Sequence, residues 1–169
     1  EYVIKTEGKG IGALINVFGG KLTTYRRLSE TILGSIETAL GKRRPAWTAT
    51  STLPGGDFPP QGFDALRSEL AATYPFVAPD LMTRLVRHYG THVRQMLTDA
   101  RNIEALGRHF GAGLYAREVD YLVANEWAVT AEDVLFRRTK LGLRLDKTGV
   151  AALETYLARI QPRALAKSS

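Results

Sequence analysis

Residues 42–62 constrain the organisation of this chain more than any other stretch. Four prolines (Pro45, Pro54, Pro59 and Pro60) and three glycines (Gly55, Gly56 and Gly62) fall inside it. Proline fixes its own φ and lacks an amide donor, and glycine weakens regular structure, so neither a helix nor a strand runs through. The stretch reads as an irregular crossing between two units, with Trp47 and Phe58 expected to pin it to a surface. The expected division is residues 1–46, a crossing over 47–62, and a second unit over 63–169.

Ahead of the crossing, Tyr2 to Thr6 alternates apolar and polar residues, as a half-buried strand does. Glu7 to Gly10 is a turn and Ile11 to Phe18 a second strand-like run, which together predict a β-hairpin. Gly19-Gly20 follows, and a helix is expected from about Lys21. Its apolar positions are Leu22, Tyr25, Leu28, Ile32, Ile36 and Leu40, and Gly41 is its stop. A two-stranded hairpin with one helix is marginal alone and calls for a larger sheet.

Everything after the crossing reads as helical. Phe63, Leu66 and Leu70 predict a helix ending before Tyr74-Pro75. Pro79 opens the next, carrying Leu81, Leu85 and Tyr89 and stopping at Gly90. Thr91 is expected to cap a short helix with Val93, Met96 and Leu97, and Ile103 to Leu106 to form a short turn. A longer helix then carries Tyr115, Val119, Leu122 and Val123 towards Trp127. Thr130 and Asp133 resemble a capping box with Asp in place of Glu or Gln. The helix they start holds Leu135, Arg138 and Leu141 and ends at Gly142. Asp146 caps the last helix, whose Val150, Leu153, Leu157 and Ile160 form a stripe before Pro162. The fold class is therefore mainly α: an all-α domain of about seven short helices preceded by a hairpin, a glycine loop and a helix. No fixed-period repeat is present, which argues against a solenoid.

With 44% hydrophobic and 24% charged residues, the 169-residue chain has the composition of an ordinary globular domain. No apolar run approaches the ~20 residues of a membrane span. The absence of cysteine excludes disulfides and thiol chemistry and fits a reducing cytoplasm. A net charge of +6 suits anionic partners. Its densest cluster, Lys42-Arg43-Arg44, follows the first helix, where a helix C-terminus favours cations without any ligand.

The chemistry centres on Gly19-Gly20-Lys21-Leu22-Thr23-Thr24. Glycines admit close approach to a ligand, the first helical turn has free amides, and Lys21 adds a cation. A nucleotide P-loop is excluded: its first glycine and its Ser/Thr correspond to Ile15 and Leu22.

Leu14-Ile15-Asn16-Val17-Phe18 with Gly19 to Arg26 resembles the closing segment of the FAD domain in flavin-dependent glycerol-3-phosphate dehydrogenases. Trp47, Leu53-Pro54-Gly55-Gly56 and Tyr74-Pro75-Phe76 resemble that family's passage into its C-terminal helical domain. The same holds for Glu118-Val119-Asp120-Tyr121-Leu122, Glu126-Trp127-Ala128 and Asp133 to Gly142. Members open on a Gly-x-Gly-x-x-Gly fingerprint for the FAD pyrophosphate, which is absent here. The chain, opening on Glu1-Tyr2-Val3, is therefore expected to be the C-terminal part of a larger enzyme and inactive by itself.

The resemblance implies FAD as cofactor, not retained by this segment alone, and an N-terminal FAD domain as its partner. Gly19, Gly20, Lys21, Leu22, Thr23 and Thr24 would then lie against the flavin. The amides of Leu22, Thr23 and Thr24 would point to its pyrimidine end, and Lys21 would also attract substrate phosphate. The implied reaction is oxidation of glycerol 3-phosphate to dihydroxyacetone phosphate, with electrons passing to a membrane quinone or, in the oxidase branch, to oxygen. The helical domain would be a cap, in the cytoplasm or peripheral on the inner face of the membrane, with a homodimer as one candidate assembly. No residue here is assigned a catalytic role.

Three further features have bland readings. His88 and His92 have the i, i+4 spacing of zinc ligands, but Gly90-Thr91 interrupts the helix and no acidic third ligand is near, so no metal is expected. His109, beside Phe110-Gly111, reads as a packing or surface residue. Glu118, Glu126, Asp133, Arg137, Arg138 and Lys140 read as an ion-pair network tying helices together, in which Arg137→Ala would cost stability rather than chemistry, by about 3–5 kcal/mol if its pair is buried. The alternative function is a basic helical module binding nucleic acid or a protein partner. Helices bearing both signs of charge, and the absence of a basic recognition helix, argue against nucleic acid.

Overall fold

The computed structural model describes residues 2–42 and 44–165. The chain divides into two compact units, the first ending at Leu53 and the second beginning at Pro54. Arg43 of the Lys42-Arg43-Arg44 cluster lies outside the described residues.

In the first unit, β1 (Tyr2–Glu7) and β2 (Leu14–Gly19) pair antiparallel from Tyr2↔Gly19 to Glu7↔Leu14. The second strand begins at Leu14 and not at Ile11, because Gly10–Gly12 forms a 3₁₀ turn in the hairpin loop. Helix α1 spans Tyr25–Ala39 and packs on the hairpin, with the Tyr2 hydroxyl 3.2 Å from Thr31 Oγ1. Gly41 stops it with φ +67°. The Lys42 amide donates to the Glu37 carbonyl and the Gly41 amide to Thr38, the Schellman pattern that satisfies the last carbonyls. Among the described residues of this unit none is buried. Trp47, expected to anchor the crossing, is 63% exposed.

The second unit is mainly helical around one core. Helices α2 (Phe63–Thr73) and α3 (Pro79–Tyr89) pack together. Met82, Leu85, Val86 and Tyr89 form the buried face of α3, the i, i+3, i+4, i+7 stripe of an amphipathic helix. A 3₁₀ turn at Gly90–His92 leads into α4 (Val93–Leu97). Thr91 does not cap α4; it is buried and its hydroxyl donates to the Asp57 carboxylate. The crossing is clasped here: a Cβ on Gly90 would lie 1.9 Å from the Gly55 carbonyl oxygen, which accepts the Thr91 amide at 3.0 Å. Phe58 packs against the core beside this clasp.

Residues expected to join a long helix towards Trp127 instead begin with a second hairpin, β3 (His109–Gly111) with β4 (Leu114–Tyr115). Helix α5 follows at Ala116–Asn125. The capping box is real and reciprocal: Asp133 Oδ2 accepts the Thr130 amide at 2.9 Å, and Thr130 Oγ1 accepts the Asp133 amide at 3.1 Å. What it starts over Asp133–Arg138 is a π-helix. Lys140 in the left-handed region (φ +60°) ends it, not Gly142. Gly142 is required for another reason, since a Cβ there would lie 2.5 Å from the Phe136 ring. Asp146 accepts the Gly149 amide at 2.7 Å at the start of α6, which spans Lys147–Leu165 and continues past Pro162. Leu70, Met82, Leu97, Leu114, Leu122 and Leu153, all fully buried, sit at the centre of this core. No described helix is long and apolar enough to cross a membrane.

Candidate functional site

Local backbone chemistry shapes the loop between β2 and α1. Gly19 and Gly20 both adopt positive φ, +78° and +126°, which side-chain-bearing residues rarely tolerate. A Cβ on Gly20 would also meet the Leu28 side chain at 3.0 Å. Lys21 is extended, and Leu22–Thr24 forms a 3₁₀ turn before α1 begins at Tyr25. The regular helix therefore starts four residues after Lys21. Inside the turn, the amide and the hydroxyl of Thr24 both donate to the Lys21 carbonyl, at 3.0 and 3.1 Å. Of the three amides expected to face a ligand, that of Thr24 is already committed. Those of Leu22 and Thr23 take no backbone partner among the described residues. Lys21, Leu22 and Thr23 are exposed, Leu22 to 87%. The loop thus presents two unbonded donors, a cation and a surface free of Cβ atoms at Gly19-Gly20. That arrangement suits an anionic or electron-rich planar group.

The charge cluster expected in the last third separates into distinct groups. Glu118, 2% exposed, faces α3: Arg84 grips it in a bidentate pair at 2.6 and 2.7 Å, and the Tyr89 hydroxyl donates to it at 2.7 Å. Arg84 also donates to the Gly113 carbonyl at 2.9 Å, joining α3, α5 and the second hairpin. Burial works against the Arg84 charge, but its hydrogen bonds to Glu118 and the adjacent carboxylate raise its pKa above the usual value. Burial, then the Glu118 charge, pushes the Tyr89 hydroxyl far above the ordinary tyrosine range. Arg84 and Tyr89 were not legible as partners of Glu118, because they lie 34 and 29 residues away in sequence.

Arg137 is half exposed and, among the described residues, pairs with its neighbours Glu132 and Asp133, so the condition of a buried pair is met not by it but by Arg84. Arg138 donates to the Glu126 carbonyl at 2.9 Å, and Lys140 to the Phe136 carbonyl. Backbone donors from Thr130 and Val129, then the Thr130 hydroxyl, hold the Asp133 carboxyl down at about 2.

The histidines go separate ways. His92 Nδ1 lies 2.7 Å from the Tyr121 hydroxyl, while His88 is exposed at the end of α3. His109 Nε2 accepts the Gly113 amide at 3.2 Å, and its ring lies over Tyr115. Among the described residues, no group of three or more His, Cys, Asp or Glu side chains is placed to hold a metal ion.

A sequence model of the C-terminal domain of alpha-glycerophosphate oxidase matches residues 46–165. The chain belongs to this family. It is 46% identical over 155 residues to glycerol-3-phosphate dehydrogenase of Pseudomonas aeruginosa, covering 92% of this chain and 30% of that protein. It is 40% identical over 152 residues to D-erythritol 1-phosphate dehydrogenase of Brucella abortus, covering 90% and 30%. Aerobic glycerol-3-phosphate dehydrogenase of Escherichia coli K12 is 36% identical over 160 residues, covering 95% and 32%. The chain thus spans about a third of the length of the curated relatives it matches. The alpha-glycerophosphate oxidase C-terminal domain match takes in the whole helical core, including Arg84 and Glu118, and leaves Gly19–Thr24 outside it. The Pseudomonas likeness leaves only 14 of 169 residues uncovered, so one continuous aligned stretch of that length contains the glycine loop wherever it begins.

Proposed function

We propose that this chain is the C-terminal part of a flavin-dependent dehydrogenase that oxidises sn-glycerol 3-phosphate to dihydroxyacetone phosphate. The observation that carries the reading is the loop at Gly19–Thr24, an exposed donor-rich cradle inside the stretch alike to a glycerol-3-phosphate dehydrogenase. The residues fit a flavin: Gly19-Gly20 offers a flat approach, and the Leu22 and Thr23 amides donate where a ring gathers negative charge. FAD is the form proposed. A bound flavin supplies hydride acceptance for the secondary alcohol of the substrate. Lys21 attracts the substrate phosphate by charge-assisted hydrogen bonding. The helical unit is a structural cap, its Arg84–Glu118–Tyr89 centre serving cohesion. A membrane quinone is the proposed electron acceptor, with oxygen as the counterpart in an oxidase. The setting is cytoplasmic or peripheral to the inner membrane face, and a homodimer is the proposed assembly.

The exposed apolar surface of the first unit supports a flavin domain as the missing partner. Val3, Leu14, Phe18, Leu33 and Leu40 are each about half exposed and Ile11 almost wholly so, the mark of an interaction surface. The Brucella relative, named for D-erythritol 1-phosphate, makes a longer polyol phosphate the competing substrate. Relatives named as dehydrogenases speak against the nucleic-acid module.

Two experiments test the reading. In the longer protein that carries this segment, Lys21→Met should raise KM for glycerol 3-phosphate by about tenfold while the flavin absorbance stays intact. An unchanged KM removes Lys21 from the site, and faster turnover of D-erythritol 1-phosphate reassigns the substrate. The present chain, incubated with FAD and desalted, should be colourless. Retained yellow flavin would refute the dependence on a partner domain.

A further inference from the structure

We infer that the groove between α3, the turn of the second hairpin and residues 139–144 is an anion site that binds a phosphate-bearing ligand. This inference does not rest on the flavoenzyme reading. The groove encloses about 750 Å³ and is lined by Arg84, Arg87, His88, Lys140 and Arg144, with Asp80 as its one carboxylate. Of its three arginines and one lysine, only Arg84 has an ion-pair partner among the described residues, and that partner, Glu118, is sealed in the wall behind it; burial and the Arg84 charge lower the His88 pKa, so the imidazole adds no charge near neutral pH. Arg87 lies over the Phe63 ring, and Lys140 reaches only a backbone carbonyl. Arg87, Lys140 and Arg144 thus bring three cationic heads without a carboxylate partner among the described residues to one concavity, which raises its positive potential. An oxyanion of two negative charges, accepting hydrogen bonds from arginine forks and a lysine, suits that potential.

The backbone points to the same place. Three non-glycine residues adopt positive φ among those described, and two of them, Ala112 and Lys140, line this groove. Left-handed backbone of this kind persists where surrounding structure holds it, and it concentrates at ligand sites. Lys140 is delivered there by the π-helix over Asp133–Arg138, a distortion that recurs at functional positions.

Calorimetric titration of the whole chain with inorganic phosphate tests the assignment, using Lys140→Gly, Arg144→Ala and the double variant. Glycine suits the left-handed backbone at 140, so Lys140→Gly removes the charge without endangering the fold, which a thermal melt verifies. Arg159→Ala, outside the groove, is the control. Each groove substitution should weaken phosphate binding by about fivefold and the pair by about twentyfold, with the control unchanged. Co-sedimentation with phosphatidylglycerol vesicles separates the sources of phosphate. Sedimentation abolished by the double variant assigns a lipid headgroup, and phosphate binding without sedimentation assigns a soluble ligand. Absence of binding in both arms, or binding that ignores the groove variants, overturns the inference.

Discussion

The hairpin unit and the helical unit use the same kinds of apolar residue and dispose of them oppositely. In the helical unit Leu70, Met82, Val93, Leu97, Leu114, Val119, Leu122 and Leu153 are essentially inaccessible. In the hairpin unit Ile11 is 98% exposed, Leu22 87% and Phe18 55%, and no described residue is buried. Hydrophobic burial is the main favourable term in folding. The helical unit therefore holds its own stabilising core, whereas the described residues of the hairpin and α1 form none of their own. Sequence patterning marks which residues want burial; only the structure tells whether anything buries them.

Substitutions sharpen that contrast, the largest effects falling in the helical unit. Glu118→Ala leaves the Arg84 charge buried without its partner and should destabilise the helical unit by about 3–5 kcal/mol. Chemical denaturation followed by circular dichroism measures this, and a loss under about 1 kcal/mol would show the pair to be dispensable. Gly90→Ala pushes a Cβ into the Gly55 carbonyl from a positive-φ position. It should cost about 2–3 kcal/mol, read as a lower melting temperature and weaker amide protection at Thr91. At the other end, Leu33→Asp or Ile36→Asp in α1 should shift the stability of this chain by no more than about 0.5 kcal/mol. In the longer protein, the same changes should cut the yield of flavin-loaded enzyme. A large effect on the isolated chain would break the contrast.

Acid supplies a smaller, local probe. Asp133, held at about 2 in the folded state, lies below the ordinary aspartate value of ~3.9. A depressed folded pKa means that its contribution is complete above the unfolded value and is lost as pH falls towards 2. Asp133→Asn should therefore flatten the acid limb of the stability profile between about pH 4 and 2 and leave the profile near neutrality unchanged in shape. A carboxyl resonance titrating in the ordinary aspartate range would contradict the capping geometry.

Features set by neighbours in sequence were legible. The Asp133 and Asp146 caps, the Gly41 stop and the Leu85 and Tyr89 positions of α3 each rest on residues within two turns of one another, although the buried face of α3 takes in Met82 and Val86 and leaves the expected Leu81 only partly buried. Features set across the fold were not. Strands of three and two residues at His109–Gly111 and Leu114–Tyr115 are too short to display alternation, although the Gly111-Ala112-Gly113 turn was a visible signal. A π-helix bears the same residue types as an α-helix, so Thr130 and Asp133 announced a helix without revealing its pitch. Gly90 reads as a helix stop, yet its closer constraint is the Gly55 backbone, and nothing local encodes that meeting. At the glycine loop, the motif marked the place; the hydrogen bonds then removed Thr24 from the donors and left Leu22 and Thr23.

The contrast between the units is tested most directly by amide hydrogen exchange on this chain near neutral pH. Amides of α3 and α5 should exchange only through global unfolding of the helical unit, whereas those of β1, β2 and α1 should exchange through far cheaper local opening. Protection in the hairpin and α1 equal to that of α3 would contradict the account, because it would mean that residues 2–42 form a self-sufficient fold without a partner domain.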